Sequence, residues 1–399
     1  MIRVLQRWAA VPRAPVYLLL FCLAIPFALR AQLSTPDHLA DPGFWPTKPD
    51  LPRNEYVGPS ACASCHPTIF AAQPKTSMAR TAQFAERDDL LHAHAKLNFA
   101  VGPYRYEISS QGAEPTYSIT FPDKTLAATL QWAFGTGRVG QSYLFRAPDK
   151  SYREARVTFF SSLDNLHFTP ARAFTTVPNI DEAMYRTVSQ SEIARCFGCH
   201  TTAAVRNNQV DEKNLFLGVT CEACHGPGAK HVAIMQAAEL AGTSYTGPPY
   251  VLNPASLDPM DSVDFCGACH ATWWDVKLSG MKGVSNARSQ PFRLELSKCW
   301  GKGDSRLTCM GCHDPHYQLD SVPENYDHVC LSCHAAAAAG TAGNTGSQKS
   351  VTHPSLRSCP VGTKDCVTCH MPKVMVPEMH YRFTDHKIQI THAGEAYSE

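Results

Sequence analysis

The feature that most constrains this chain is a five-residue pattern, Cys-x-x-Cys-His, that occurs seven times. The copies, called motif 1 to motif 7 in chain order, are Cys62–His66, Cys196–His200, Cys221–His225, Cys266–His270, Cys309–His313, Cys330–His334 and Cys366–His370. They use fourteen of the 17 cysteines. Each copy confines two thiols and an imidazole to a single turn of backbone, so the fold must accommodate seven similar local sites.

Cys-x-x-Cys-His is the attachment signature of c-type haem. The two thiols add to the vinyl groups of one porphyrin, and the histidine binds the iron from one face. A disulfide, a thioredoxin-like redox pair or half of a zinc site would account for the cysteines, but none of these requires a histidine directly after the second cysteine. The pattern therefore predicts seven covalently attached haem c groups.

The predicted attachment residues are Cys62, Cys65, Cys196, Cys199, Cys221, Cys224, Cys266, Cys269, Cys309, Cys312, Cys330, Cys333, Cys366 and Cys369. The predicted proximal iron ligands are His66, His200, His225, His270, His313, His334 and His370.

The N-terminus has the pattern of an export signal. Arginines without any acidic residue precede an apolar run at Val16–Leu29. This run is shorter than the roughly 20 residues of a membrane-spanning helix, and Ala31 offers a cleavage position. We predict that residues 1–31 are a signal peptide and that the mature protein is periplasmic, with no transmembrane segment. An uncleaved anchor, or association with the membrane or cell surface, is the alternative.

The charge balance argues against one class of partner. The chain has 36 Lys and Arg against 35 Asp and Glu, and four of the arginines lie in the predicted signal peptide. The sequence has no basic stripe. A nucleic-acid partner is therefore not expected.

The spacing of the motifs divides the chain into parts. Residues 32–95 carry motif 1, and the following 96–170 contain no cysteine. β-Branched and aromatic runs with partial period-two alternation occur there, for example at Tyr104–Ile108 and Thr116–Phe121. We predict a haem-free, antiparallel β-sheet domain at 96–170, with Trp132, Phe134 and Tyr143 in its core. Residues 171–399 would form a six-haem domain of short helices and loops, including a helix at His231–Gly242.

Six-coordinate iron needs a second, distal ligand on the other face of each haem. His231 follows His225 by six residues, and His316 follows His313 by three. A segment this short cannot easily reach the far face of its own haem, so we predict that each of these histidines binds the iron of a neighbouring haem. Further distal candidates are His353, His380 and His386, with His92 and His94 as alternates for one position. Surface or packing roles are expected for His38, His167 and His392, and His328 is not expected to be a ligand because it lies only two residues before Cys330.

Met78 and two cysteines leave alternatives open. Met78 lies twelve residues after His66, and a methionine sulfur can be an axial ligand, although an ordinary core or surface methionine is the other interpretation. Cys299 and Cys359 are the two cysteines of the predicted mature chain that lie outside the motifs. In an oxidising compartment two such cysteines are consistent with either a disulfide or two thiols.

The sequence resembles the cytochrome c-552/c-554-like family of multihaem cytochromes over about residues 55–390. The matching segments are YVGPSACASCH at 56–66, GVTCEACHGPGAKH at 218–231, LTCMGCHDPH at 307–316, DCVTCHMPK at 365–373 and HYRFTDHKI at 380–388. The resemblance implies periplasmic electron transfer through stacked haem pairs with mostly bis-histidine iron. It supports His231, His316, His353, His380 and His386 as distal ligands. Relatives often have histidine where this chain has Met78, so the coordination of the first haem differs from the family pattern.

Together these observations predict an α+β protein with a multihaem cytochrome c fold. Short helices and loops would surround stacked haems, with an antiparallel β-sheet insert after motif 1. The expected function is electron transfer to and from redox partners, such as other cytochromes or a membrane quinol dehydrogenase. The alternatives are an oxidoreductase with one open haem iron, acting on a small nitrogen or sulfur compound, and a docking module centred on the sheet domain.

The haem count is directly testable. We expect a pyridine haemochrome assay to give seven haems per chain, because each motif supplies its own thiol pair and proximal histidine. Intact-mass spectrometry should show seven haem masses above the mass of the exported polypeptide. A count far below seven would contradict the interpretation of the repeated motif.

Overall fold

The computed structural model describes residues 52–170, 177, 179–300, 307–334, 359, 362–392, 395 and 397, all within one compact unit, Pro42–Glu399. The predicted signal peptide and His353 lie outside the described residues, so those assignments stay predictions. Among the helices that are described, none combines the length and apolar character needed to cross a membrane.

The described strands are β1 Ala82–Phe84, β2 Lys96–Val101, β3 Tyr104–Ser109, β4 Thr116–Phe121, β5 Lys124–Thr129, β6 Trp132–Phe134, β7 Gly140–Arg146, β8 Tyr152–Phe160, β9 Asn165–Phe168, β10 Tyr185–Thr187, β11 Thr201–Thr202, β12 Val205–Arg206, β13 Gln209–Val210, β14 Phe216–Leu217, β15 Lys373–Val376 and β16 Tyr381–Thr384. Two antiparallel sheets contain most of them. One has the order β2-β3-β4-β5, and the other has the order β1-β6-β7-β8-β10 with β9 also paired to β8.

Alternating burial explains why these segments form strands. In β3 the buried residues are Tyr106 and Ile108, and in β4 they are Tyr117 and Ile119, so each strand turns one face to a common core. Register pairs Tyr106 with Ile119 and Ile108 with Tyr117. The large buried aromatic and aliphatic side chains on this face stabilise the sheet by removing apolar area from water.

The sheet region is larger than the sequence pattern indicated. Trp132, Phe134 and Tyr143 are buried, as predicted. Two short strands beyond 96–170 also join the second sheet: β1 pairs with β6, and β10 pairs with β8. Each has only three residues, too few for a period-two pattern to be recognised in sequence.

The described α-helices are α1 Pro67–Ala72, α2 Asp89–Ala93, α3 Ile180–Met184, α4 Gln190–His200, α5 Cys221–His225, α6 Ala229–Leu240, α7 Pro259–His270, α8 Trp273–Ser279, α9 Gln290–Glu295, α10 Cys309–Cys312, α11 Asp327–His334 and α12 Cys366–His370. Most are short, as expected for a motif-rich region. The helix predicted at His231–Gly242 is α6, which begins two residues earlier.

A buried ion pair joins α9 to the C-terminal segment. Arg293 donates from Nε to Asp385 Oδ1 and from a terminal nitrogen to Oδ2, each at 2.7 Å. The two side chains are 0% and 2% exposed. Both charges are removed from water, so each depends on the other for compensation.

Replacing Asp385 by alanine should destabilise the protein by about 3–5 kcal/mol, because it leaves the Arg293 guanidinium charged and buried. Chemical denaturation followed by far-UV circular dichroism would measure the loss. Asp89→Ala is the matched control: its ion pair with Arg80 is solvent-exposed, so removing it should change stability by less than about 1 kcal/mol. Equal effects from the two variants would contradict this account.

Candidate haem sites

One helical turn presents the three reactive side chains of each motif. Motifs 2 to 7 lie in or at the end of α-helices, and in motif 1 the His66 amide donates to Cys62 O at 2.9 Å, which closes the same kind of turn. Residues three and four apart share one face of a helix. Both cysteines and the histidine therefore project to the same side, as attachment to a single porphyrin requires.

The cysteines are unusually accessible for their residue type. Cysteine is among the most buried residues in folded proteins. Here none of the sixteen described cysteines is buried, and Cys65, Cys269, Cys312 and Cys369 are exposed. Thiols that face outward from one side of a turn fit a role in holding a large apolar group.

Among the residues that the structure describes, the side-chain core is small where the motifs are dense. The larger hydrophobic clusters lie in the sheet region and against α4, whereas the third cluster has only Val263, Leu294 and Trp300 as buried members. The twelve-residue helix α6 has no buried residue, although it contains Val232, Ile234 and Met235. Apolar surface that is this poorly covered by protein fits porphyrins as the missing part of the core.

Backbone carbonyls orient several of the imidazoles. Nδ1 lies within 3.1 Å of a main-chain oxygen in His200, His225, His231, His370 and His386. A carbonyl only accepts, so Nδ1 carries the proton and Nε2 keeps its lone pair. This is the arrangement in which a histidine binds a metal through Nε2 while its other nitrogen is held in place.

Burial favours the ligating protonation state. It lowers the pKa of His200, His225, His270 and His313, and lowers that of His386 to about 4. Iron binds neutral imidazole, so these environments suit axial ligands.

Two distal candidates lie opposite proximal histidines of other motifs. The rings of His225 and His316 have centroids 6.1 Å apart with planes inclined by 6°. The rings of His313 and His386 are 6.3 Å apart with planes at 49°. Metal–imidazole bonds of about 2 Å on both faces of an iron place two ring centres roughly 6 Å apart. His316 therefore faces motif 3, and His386 faces motif 5.

The motifs also approach one another through their thiols. The pKa of Cys62 is raised first by a hydrogen-bond interaction with Cys221, and that of Cys266 first by one with Cys309. Motifs 1 and 3 are therefore neighbours, as are motifs 4 and 5.

Further contacts extend this series. The Cys366 thiol interacts with Cys330, which joins motifs 6 and 7. The pKa of Cys266, raised first by the contact with Cys309, is also raised by the charge of Cys224, and the ring of Tyr326, four residues before motif 6, lies 5.5 Å from that of His313 in motif 5. These contacts place motif 3 near motif 4 and motif 5 near motif 6. The spatial series 1-3-4-5-6-7 follows.

Motif 2 joins the series at motif 4. The Cys199 thiol donates to Ala268 O at 3.6 Å. The pKa of His200 is lowered first by burial and also by the charge of His270 in motif 4. Trp132 and Phe134 of the sheet region pack edge-on against Phe197 of motif 2. The sheet core thus continues directly into one haem motif.

A buried carboxylate connects motif 1 to motif 3. Glu222 is the residue after Cys221 and is only 3% exposed. Its two oxygens accept from the amides of Val57 at 2.9 Å, Gly58 at 2.7 Å and Gly228 at 2.8 Å. Hydrogen bonds to a charged acceptor are about twice as strong as neutral ones. Glu222 therefore holds together the segments just before motif 1 and just after motif 3.

Asp327 plays the equivalent role for motifs 6 and 7. It opens α11, which contains motif 6, and accepts from the amides of Asp365 at 2.8 Å and Cys366 at 2.9 Å. These hydrogen bonds, first that from Cys366, lower the pKa of Asp327. Neither Glu222 nor Asp327 was identified from the sequence. The only signal in the sequence was their position: Glu222 directly follows the first cysteine of motif 3, and Asp327 lies three residues before the first cysteine of motif 6.

The remaining candidates differ in how well they are placed. His94 has Nδ1 2.8 Å from Leu90 O and Nε2 3.1 Å from Asp164, so both nitrogens are engaged, whereas the neighbouring His92 is exposed. The choice between these two alternates stays a prediction. Met78 accepts through its backbone oxygen from the amide of Val219, close to motif 3, and its role as a ligand stays a prediction.

Cys299 is half-buried and Cys359 is exposed, and the choice between a disulfide and two thiols stays a prediction. Among the described residues, no three or more His, Cys, Asp or Glu side chains converge on a point where they could hold a metal ion by themselves.

The comparisons with known proteins bear on the family. The family described as Cytochrome c554 and c-prime matches residues 165–226, which include motifs 2 and 3. This match confirms, for that segment, the resemblance drawn from the sequence. No curated protein matches the chain. The crystal structure of the outer cell wall cytochrome OcwA is loosely similar, with 16% sequence identity, a TM-score of 0.46, and coverage of 84% of this chain and 80% of that chain.

Replacing Glu222 by glutamine should loosen the connection between motifs 1 and 3, because an amide cannot accept from all three backbone N–H groups as the carboxylate does. We expect a loss of about 1–3 kcal/mol in stability. Hydrogen exchange should accelerate at the amides of Val57, Gly58 and Gly228. Glu239→Gln, on an exposed position of α6, is the control and should leave these rates unchanged. Unaltered protection in the Glu222 variant would disprove the role given to this carboxylate.

Proposed function

We propose that this chain, which carries a cytochrome c554 family segment at residues 165–226, is an exported seven-haem c-type cytochrome that transfers electrons between redox partners. The observation that carries the proposal is the opposition of His225 to His316 and of His313 to His386, each pair drawn from different parts of the motif series. When a histidine beside one motif faces the proximal histidine of another motif, the two iron sites must lie close together.

The residues fit haem c in three respects. Each motif presents two at least partly exposed thiols and a histidine on one face, the carbonyl contacts of His200, His225 and His370 leave Nε2 available for iron, and the described residues of the motif-rich region form little core of their own. Bound haem c would supply an iron that alternates between the ferrous and ferric states. The fourteen motif cysteines would hold the porphyrins, and the motif histidines would bind from the proximal face.

The protein's own contribution to electron transfer is spacing and rigidity. His316 stands three residues after His313 of motif 5 yet faces motif 3, so this short segment ties two sites to each other. Asp327 fixes the start of motif 7 from the first position of the helix that contains motif 6, and Glu222 holds the segments beside motifs 1 and 3 together. Sites held at constant separation exchange electrons without large conformational change, which suits a carrier or conduit.

The location and partners follow from the same interpretation. Covalent haem attachment takes place outside the cytoplasmic membrane, which agrees with the predicted signal peptide. We propose a periplasmic location and redox partners that are other cytochromes or a membrane quinol dehydrogenase. The branched series 1-3-4-5-6-7, with motif 2 beside motif 4, gives several ends at which partners could exchange electrons with the chain.

His316→Ala and His386→Ala should each convert one of seven haems from low to high spin while leaving seven haems attached, because each variant removes a distal ligand without touching a motif. Electron paramagnetic resonance of the ferric protein and the haemochrome assay measure the two quantities. His328→Ala is the matched control, since His328 is exposed and is not a predicted ligand.

Fully low-spin spectra in both variants would overturn the ligand assignment. A high-spin fraction already present in the unmodified protein, and perturbed by nitrite or hydroxylamine, would favour the oxidoreductase alternative over a pure carrier.

A further inference from the structure

We infer that the β-sheet domain holds the imidazole of His380 in position as an axial ligand, so that a domain without a haem motif controls the coordination of one haem. This inference rests on the proposed function, because His380 is one of its predicted distal ligands. It assigns to Phe160 and His167, which belong to the sheet, a positioning role that the sequence did not suggest.

His380 lies at the tip of a hairpin. Strands β15 and β16 pair in register from Lys373 with Thr384 to Val376 with Tyr381, and Pro377–His380 connects them. His380 has φ 48° and ψ 30°, the left-handed region that a non-glycine residue seldom adopts. The hairpin thus directs one side chain away from its own strands, at some cost in backbone energy.

That side chain meets two rings of the second sheet. Its imidazole centroid lies 4.9 Å from that of Phe160 with the planes at 68°, and 4.6 Å from that of His167 with the planes at 74°. Both are edge-to-face contacts, the arrangement that aromatic rings prefer at these distances. Two such contacts from different strands restrict both the position and the tilt of the His380 ring.

The two sheet residues are themselves well fixed. Phe160 ends β8, pairs with Asn165 and is fully buried. His167 pairs with Thr158, and its ring packs at 4.7 Å against Phe99 of β2. The surface that receives His380 is therefore part of the sheet framework, not a loose loop.

The other distal candidates are oriented differently. His386 has Nδ1 3.0 Å from Thr384 O, and His231 has Nδ1 2.7 Å from Pro249 O. No described residue hydrogen-bonds the ring of His380, so the aromatic contacts are what orient it. His167 cannot be the second ligand of the same iron, because 4.6 Å is well short of the roughly 6 Å between ring centres across a metal.

The test uses full-length, haem-loaded protein and three variants. His380→Ala should make one of seven haems high-spin, and added imidazole should return it to low spin. His167→Ala should raise the five-coordinate population of that haem roughly 2- to 10-fold, the effect of losing one aromatic pair contact. His167→Phe should restore the original population, because it retains a ring edge. Carbon monoxide binding to the ferrous protein measures the open iron.

Tyr104→Ala is the control for general damage to the sheet domain, because Tyr104 stacks on Phe121 instead of the hairpin. It should leave carbon monoxide binding unchanged. If His167→Ala disturbs the far-UV circular dichroism spectrum, Phe160→Leu removes the other ring edge while retaining apolar volume, and it should open the same haem.

Two outcomes would overturn the inference. A fully low-spin His380→Ala protein would show that His380 is not a ligand, yet would leave the results for His316 and His386, and with them the proposed function, intact. A high-spin His380→Ala protein together with unchanged His167→Ala and Phe160→Leu proteins would show that the ligand needs no help from the sheet.

Discussion

The geometry of one helical turn determines how the motif-rich part of this molecule is built. Positions i, i+3 and i+4 fall on one face, so each Cys-x-x-Cys-His presents two thiols and an imidazole together and leaves its remaining residues for other contacts. Contacts made by these remaining residues determine which motifs lie next to each other. Glu222 and Asp327 each use a carboxylate to bind backbone amides of another motif's flanking segment, which places motif 1 beside motif 3 and motif 6 beside motif 7.

A thin side-chain core is the other consequence of seven such sites. Where the chain has sheets, ordinary aromatic and aliphatic packing suffices, as around Tyr106 and Ile119. Beyond motif 3 the described hydrophobic cluster shrinks to Val263, Leu294 and Trp300, and the buried Arg293–Asp385 ion pair lies beside it. Porphyrins held by the motifs would add apolar surface where this cluster is small.

The sequence indicated the local features well because they depend on short-range patterns. Motif positions, the helix after Gly228, several strands and the buried Trp132 could all be predicted from spacing and periodicity. The strands of three residues and the partners of Glu222 could not, since they depend on contacts between segments far apart in the chain. His167 was assigned to packing for the same reason: nothing near it in sequence shows that His380 lies against it.

The contact made by Glu222 has a consequence for how the protein is produced. Its hydrogen bonds with Val57 and Gly58 span more than 160 residues, and the whole sheet region lies between. Because a chain emerges from its N-terminus first, motif 1 must remain without its structural partner until the sheet strands and motif 3 have followed. The first site is thus exposed the longest during biogenesis, and it is completed only when a later one arrives.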